Sequence, residues 1–323
     1  MRKEARALAA FAAIWAVIPV QAVAQQWPDK SVRILVPYPP GGGTDIQARL
    51  LSVAFQKSMG QNFIVDNRTG ASGLIGTQLA VESPPDGNTI LFASGIISVV
   101  VTLYAKRIKF NVHNDLAPVS WISSTPLVLS LHPSVPAKSV KELVALAKRT
   151  PGGMNAAGNA AGTTAHLTAE MLNQVTGIKS TVLTYRGGGP SVLALISGEA
   201  DYLFATAPSI MPHLRSGKAK GLAVTTPKRS SALPDLPTMN SIYPGFESDN
   251  WYAMFYPKGT PRPIVDKLNA EIRKALDTPE IRAFMPNEAL DPVASSPEEL
   301  SALLTREIAK YAKVIKLANI RLD

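Results

Sequence analysis

The sequence predicts an α/β protein of mixed, mainly parallel sheets flanked by helices, and three observations carry that prediction. Short β-branched runs alternate with amphipathic helical patterns, the signature of βαβ units. Glycine and proline clusters mark the changes of pattern, with 22 Gly and 26 Pro in the chain. The length of 323 residues suggests two domains with sizeable cores.

Taken in order, Val32–Tyr38 predicts a strand that Pro39-Pro40-Gly41-Gly42-Gly43 breaks. Thr44 to Met59 carries Ile46, Leu50, Val53 and Ala54 at helical spacing, and Gly60 stops it. Phe63–Val65 is the next strand, and the turn Pro85-Asp86-Gly87-Asn88 leads into another at Thr89–Ala93. In the middle third, Leu127–Leu131 is a strand and Ser139-Val140-Lys141-Glu142 a capping box opening a helix to Arg149. Gly158–Thr164 leads into a helix that ends at Gly177. Val182–Tyr185 runs into Arg186-Gly187-Gly188-Gly189-Pro190 and a further helix, with strands at Ala200–Ala205 and Gly221–Thr225. The last third opens on the aromatic strand Trp251–Tyr256, followed by a helix capped at Thr260-Pro261 and running to Leu276. A second capping box, Ser296-Pro297-Glu298-Glu299, opens a longer helix whose Leu300, Leu303, Leu304, Ile308, Tyr311 and Ile315 form a core stripe.

Composition removes several function classes. The chain has no cysteine, which excludes disulfides, zinc–thiolate sites, iron–sulfur clusters and cysteine nucleophiles. The four histidines (His113, His132, His166, His213) form no helical ligand pair, so no metal site is expected. The formal net charge is +9, from 33 Lys+Arg and 24 Asp+Glu. The basic groups are scattered, and the densest cluster is only Lys106-Arg107 with Lys109. That pattern argues against nucleic-acid binding and for a dispersed positive surface that mildly favours anionic solutes.

The N-terminus has the layout of a secretory signal peptide. Arg2, Lys3 and Arg6 precede an apolar run of fourteen residues, Ala7 to Val20, and then Ala22-Val23-Ala24. Fourteen residues fall short of the roughly twenty needed to cross a bilayer. Cleavage after Ala24 leaves a mature chain with 30 basic and 23 acidic groups, a net +7.

The chemistry-bearing features are glycine-rich turns, several of them standing between a strand and a helix: Pro40–Asp45, Arg68–Gly73, Gly158–Thr164 and Arg186–Pro190. A helix start exposes unpaired N–H groups and a partial positive charge, and glycine lets an anion approach them. Such turns, gathered at the carboxyl ends of strands, suit a carboxylate or phosphate. Catalytic signatures are missing: there is no G-x-x-x-x-G-K-[ST] and no G-x-S-x-G, and Ser94 in Phe92-Ala93-Ser94-Gly95 is not read as a nucleophile. Asp45 has two readings, a favourable charge in the first helical turn or a direct ligand contact. His166 is read as a helix residue bonded locally.

Over the whole mature chain the sequence resembles the solute-binding receptors of tripartite tricarboxylate transporters, the Bug family. The carriers are Trp27-Pro28, Val32–Asp45, Val65-Asp66-Asn67-Arg68, Gly70–Gly76, Pro85-Asp86-Gly87, Gly162–Leu167, Tyr185–Gly188, Ala232–Thr238 and Gly259-Thr260-Pro261, in that order. The resemblance implies a two-lobed periplasmic binding protein of the type II kind that closes around a ligand in the interlobe cleft. The lobes it implies are residues 25–125 with 249–323, and 126–248. The first lobe's turn, here Tyr38, Gly42, Gly43, Thr44 and Asp45, would hold a ligand carboxylate through backbone N–H groups and water. Ala161, Gly162, Thr163 and Thr164 would hold the other side, with Ser94 a third contact and Asp201 and Ala205 at a neighbouring strand. Many members carry an acid where Ala205 stands, and its loss argues against an amino-acid ligand. Tyr38 replaces a common phenylalanine and adds a hydroxyl. The segment Phe284–Glu288 also departs from the usual pattern and is expected at the surface. The implied function is non-enzymatic capture of a small organic carboxylate (a di- or tricarboxylate or an aromatic acid) by a monomer without cofactor, with transient delivery to integral-membrane transporter subunits. A ligand sensor for a membrane kinase and a periplasmic enzyme acting on small acids are the alternatives.

Overall fold

The computed structural model describes residues 27–159, 162–185 and 187–317. The expected signal segment with its cleavage point after Ala24, and the turn residues Ala161 and Arg186, lie outside the described residues.

The chain opens with β1 (Val32–Val36), α1 (Gly43–Met59), β2 (Phe63–Asn67), α2 (Leu74–Val81), β3 (Thr89–Ser94), α3 (Ile96–Leu103), the short α4 (Val112–Asp115) and β4 (Leu116–Leu131). Then follow α5 (Val140–Arg149), β5 (Met154–Gly158), α6 (Thr164–Thr176), β6 (Ser180–Thr184), α7 (Gly188–Ser197), β7 (Tyr202–Thr206), α8 (Ala207–Arg215), β8 (Lys220–Val224) and α9 (Met239–Ile242). The chain closes with β9 (Asp249–Pro257), α10 (Arg262–Leu276), α11 (Pro279–Asn287), β10 (Asp291–Pro292) and α12 (Pro297–Leu317).

These strands form two sheets that share β4. In the first, β2, β1 and β3 run parallel, β9 pairs antiparallel with β3, and the first part of β4 pairs antiparallel with β9. In the second, the end of β4 pairs antiparallel with β7 and β8, while β7, β5 and β6 run parallel. The sequence predicts a strand only over Leu127–Leu131, whereas β4 begins at Leu116 and extends 16 residues. Pro118 and Pro126 supply no N–H and argue against a central strand. Pairing with β9 overrides that preference, with register shifts between Pro118 and Ser120 and between Trp121 and Ser123.

Local signals and packing agree at most helices. α1 buries Gln47, Ala48, Leu51 and Phe55 along one face, and Gly60 ends it in the left-handed region at φ 73°. Full burial of a Leu or Phe contributes about 1.5–3 kcal/mol, so this face anchors the helix start above the sheet. At α12 both halves of the capping box form: Ser296 N–H donates to Glu299 Oε2 at 2.7 Å and Glu299 N–H to Ser296 Oγ at 3.1 Å. Thr260 does not cap α10 as expected; its hydroxyl donates to the Pro257 carbonyl at 2.8 Å, and the helix begins after Pro261. The segment expected at the surface, Phe284–Glu288, spans the end of α11; Pro286 and Asn287 are exposed there, but Met285 turns into the core.

The core falls into clusters on the faces of the two sheets. Phe55, Phe92 and Tyr256 sit on one face of the first sheet, and Leu91, Ile97 and Trp251 on the other. Leu129, Leu167 and Phe204 pack in one cluster against the second sheet. The stripe on α12 is core packing, and it divides. Leu300, Leu303 and Leu304 join the first sheet's cluster, while Tyr311, Val314 and Ile315 join the second's. Among the described residues no helix is long and apolar enough to cross a membrane.

Candidate functional site

Two helix starts and one polar sheet face define the site. On the first lobe, the turn between β1 and α1 is held rigid by Asp45. Its carboxylate accepts from Gly41 N–H, from Arg49 Nε and Nη2, and from Asn67 Nδ2, each at 3.0 Å. Asn67 Nδ2 also donates to the Tyr38 carbonyl at 3.1 Å. Burial pushes the Asp45 carboxyl up, but these donors outweigh it and hold it below the usual carboxylate range. Of its two readings, Asp45 is therefore the organiser of the turn, its oxygens already occupied. Gly42 caps α1 with extended backbone and no side-chain bond, which leaves the first-turn N–H groups of Gly43, Thr44 and Asp45 without intrahelical partners.

Gly43 is where the helix start meets the sheet. A Cβ added there would collide with the Tyr252 hydroxyl, so only glycine lets α1 approach this closely. Tyr38, beside it, lies over Gly73, and its hydroxyl accepts from Ser94 N–H at 3.4 Å. Burial raises both the Tyr38 and Tyr252 hydroxyls to about 12, so they remain neutral hydrogen-bonding groups at physiological pH. Gly73 in the Arg68–Gly73 turn thus serves packing against Tyr38. Gly70 serves packing against Ile75.

On the second lobe, Thr163 caps α6, its hydroxyl accepting from His166 N–H at 3.4 Å. Gly162 N–H donates to His166 Nδ1 at 3.0 Å, so the ring fixes the turn as a neutral acceptor. Burial holds the His166 pKa below its usual value, against the opposing pull of Glu170. Gly162 has φ +77° and faces Leu103 of α3, with Val99 behind. The two lobes therefore touch at Gly162. A third helix start, α7, follows Gly187 and is tied to this turn by Ser191 Oγ donating to Asn159 Oδ1 at 2.5 Å.

Between the helix starts lies a polar stripe across three adjacent strands. Ser94 opposes Tyr252, Ser123 opposes Tyr252, and Thr125 opposes Asn250, so all five share one face. Ser123 donates to Gln47 Oε1 of α1 at 2.6 Å. Four polar atoms near the two helix starts are buried without a partner: Ser94 Oγ, Thr125 Oγ1, Asn250 Oδ1 and, from α6, Thr164 Oγ1. Buried polar groups are ordinarily bonded, and such a concentration marks a place where a ligand or ordered water completes the bonding.

The structure thus gathers Tyr38, Gly43, Thr44 and Ser94 on one lobe and Gly162, Thr163 and Thr164 on the other, with Gly42 at the exposed lip of the α1 turn. Ala161 is outside the described residues. Asp201 is not brought to the cleft. It precedes β7 at the opposite end from α8, where its carboxylate accepts from Asn155 N–H at 2.8 Å and ties β5 to β7. Ala205 is packed in the apolar cluster with Val128, Ala157 and Val224, and offers the cleft no side-chain group. Thr125, Asn250 and Tyr252 went unsuspected in the sequence; only strand register brings them to the site. Among the described residues no group of three or more His, Asp or Glu is placed to hold a metal ion.

Two sheets joined by a shared strand, each carrying a helix start that follows a glycine-containing turn, define the class: a two-lobed binding protein of α/β architecture. The family model described as the tripartite tricarboxylate transporter family receptor matches residues 47–320. BugT of Bordetella pertussis is 35% identical over 301 residues, covering 93% of this chain and 92% of BugT. Among solved structures, Rpa4515 of R. palustris with adipate superposes with a TM-score of 0.85 at 32% identity, covering 91% of this chain and 99% of that one. The periplasmic binding protein BugD gives 0.82 at 30%, with coverage of 91% and 99%. The chain belongs to the tripartite tricarboxylate transporter receptor (Bug) family, a family of solute-binding receptors.

Proposed function

We propose that this protein is exported to the periplasm, with residues 1–24 removed, and captures a small organic carboxylate between its lobes. It delivers that ligand unchanged to the membrane subunits of a tripartite tricarboxylate-type transporter. The observation that carries the reading is the pair of helix starts, α1 and α6, offering free N–H groups from opposite lobes beside neutral hydroxyls. Helix starts of this kind favour an anion without a fixed cationic partner. The bound adipate of Rpa4515 supports a carboxylate, and a di- or tricarboxylate or an aromatic acid fits the same donors. The closing bodies in this reading are 25–125 with 249–323, against 126–248. The end of α12 packs with the latter.

The test is a melting-temperature screen of the purified mature chain against organic acids, with each acid followed by NMR. Binding to the folded state alone raises the midpoint by mass action, and the acid is recovered intact. Steady conversion of an acid would replace this reading with an enzymatic one. A screen in which no carboxylate stabilises the protein would remove it.

A further inference from the structure

The two strands that cross between the lobes carry a facing pair of buried polar side chains that the backbone carboxylate grip does not use. Thr125 on β4 opposes Asn250 on β9, with exposures of 0% and 7%. Thr125 Oγ1 and Asn250 Oδ1 both lack partners. Their neighbours fix where they lie. Two residues beyond Asn250, Tyr252 touches Gly43 at the start of α1. Two residues before it, Ser248 Oγ bonds Thr168 Oγ1 at 2.5 Å, one helical turn from Thr164 at the start of α6. Asn250 is thus bracketed by the two helix starts proposed above to hold the anion.

The unpartnered Asn250 atom is an acceptor. An ionised carboxylate brings only acceptors and cannot satisfy a second acceptor. A ligand that completes this site directly, without an intervening water, therefore carries a donor as well. An ammonium would need a neighbouring carboxylate, and Asp45 is already occupied by Arg49, Gly41 and Asn67. A neutral donor remains, and the hydroxyl group is the simplest.

We propose that Asn250, with Thr125, is the specificity-determining pair of the cleft and reads a hydroxyl on the carboxylate ligand, so that the protein prefers hydroxy acids to their unsubstituted counterparts. This rests on the carboxylate-receptor reading above. The pair discriminates because a ligand without the hydroxyl leaves buried polar atoms unpaired in the closed cleft.

Matched acids test this by titration calorimetry: malate against succinate, and citrate against tricarballylate. The wild-type protein is expected to bind the hydroxylated member of a pair about tenfold or more tightly. Asn250→Leu, similar in volume and without polar atoms, brings that ratio close to one. Thr125→Val narrows it in the same direction, and melting curves without ligand report whether each variant is folded. Should Asn250→Leu fail to fold, the Thr125→Val ratio decides alone. Equal wild-type affinity for both members of each pair overturns the inference while leaving the carboxylate reading intact, as does a ratio that survives both substitutions. Failure of all four acids to bind, where other carboxylates do, also overturns it; failure of every carboxylate removes the receptor reading beneath it.

Discussion

Gly43→Ala is the perturbation that tests most directly how α1 is seated. An alanine in a helix is ordinarily favoured over glycine by up to about 1 kcal/mol, and Gly43 has ordinary helical backbone, so propensity alone predicts stabilisation. The new Cβ, however, would overlap the Tyr252 hydroxyl and stand 3.1 Å from the ring carbon that bears it. Tyr252 is 2% exposed and fixed in the core, so it has little room to swing aside. Overpacking of this kind costs about 1–3 kcal/mol, which outweighs the propensity gain. The expected net effect is a loss of up to about 2 kcal/mol, with the α1 N–H groups displaced and carboxylate affinity reduced. Tyr252→Phe removes the overlapping oxygen. In that background Gly43→Ala should be close to neutral, giving a coupling of at least about 1 kcal/mol in a double-mutant cycle read from equilibrium urea unfolding. Two substitutions whose effects add to within about 0.5 kcal/mol would refute the reasoning, because no shared contact would then exist.

Gly162→Ala places a Cβ against Leu103 at a backbone φ of +77°, and should cost about 1–2 kcal/mol without ligand. It also wedges the lobes, so calorimetry should show weaker ligand binding, partly restored by adding Leu103→Ala. His166 has a folded pKa below its unfolded value, so its contribution is full above about 6.5 and is lost as pH falls through the folded pKa. Urea midpoints of the wild type should therefore fall more steeply over that acid range than those of His166→Gln, with a limiting difference of about 1.4 kcal/mol per pH unit. Asp45→Asn weakens charge-assisted bonds at the α1 turn and should cost about 1.5–3 kcal/mol at neutral pH. Because the Asp45 pKa is depressed, that cost should be fully present above the ordinary carboxyl value of 3.8 and shrink as pH falls through the folded one.

The parts of the fold legible in the sequence are those governed by local chemistry. The glycine stops at Gly60 and Gly177, the capping boxes at Ser139 and Ser296 and the α12 stripe all act within a few residues. The first part of β4 was not legible, because its formation depends on β9, a partner more than a hundred residues away, while its own prolines argue for a loop. The site divides in the same way. Glycine-rich helix starts can be recognised because anion binding there needs only backbone N–H groups and a missing Cβ. Asp201 lies away from the cleft although it is close to Ala205 in sequence, because the length of β7 separates the two ends of that strand. Thr125 and Asn250 carry no motif at all. They become a pair only through antiparallel register, which places residues 125 positions apart side by side.

Stability alone does not account for that pair. A strand crossing between two cores could carry valine and leucine there, gaining burial and avoiding unpaired polar atoms that cost about 1–3 kcal/mol each. Instead Ser94, Thr125, Asn250 and Thr164 each keep a polar atom buried and unbonded, and Gln47, Ser123 and Tyr252 continue the polar face beside them. The backbone donors of α1 and α6 can attract nearly any anion, so selectivity must come from groups that lose something when the wrong anion sits between them. Orphaned hydroxyls and an orphaned carbonyl have that property. In the proposed reading the groups that lower stability are thus the ones that would distinguish ligands, and the crossing strands hold them beside both helix starts.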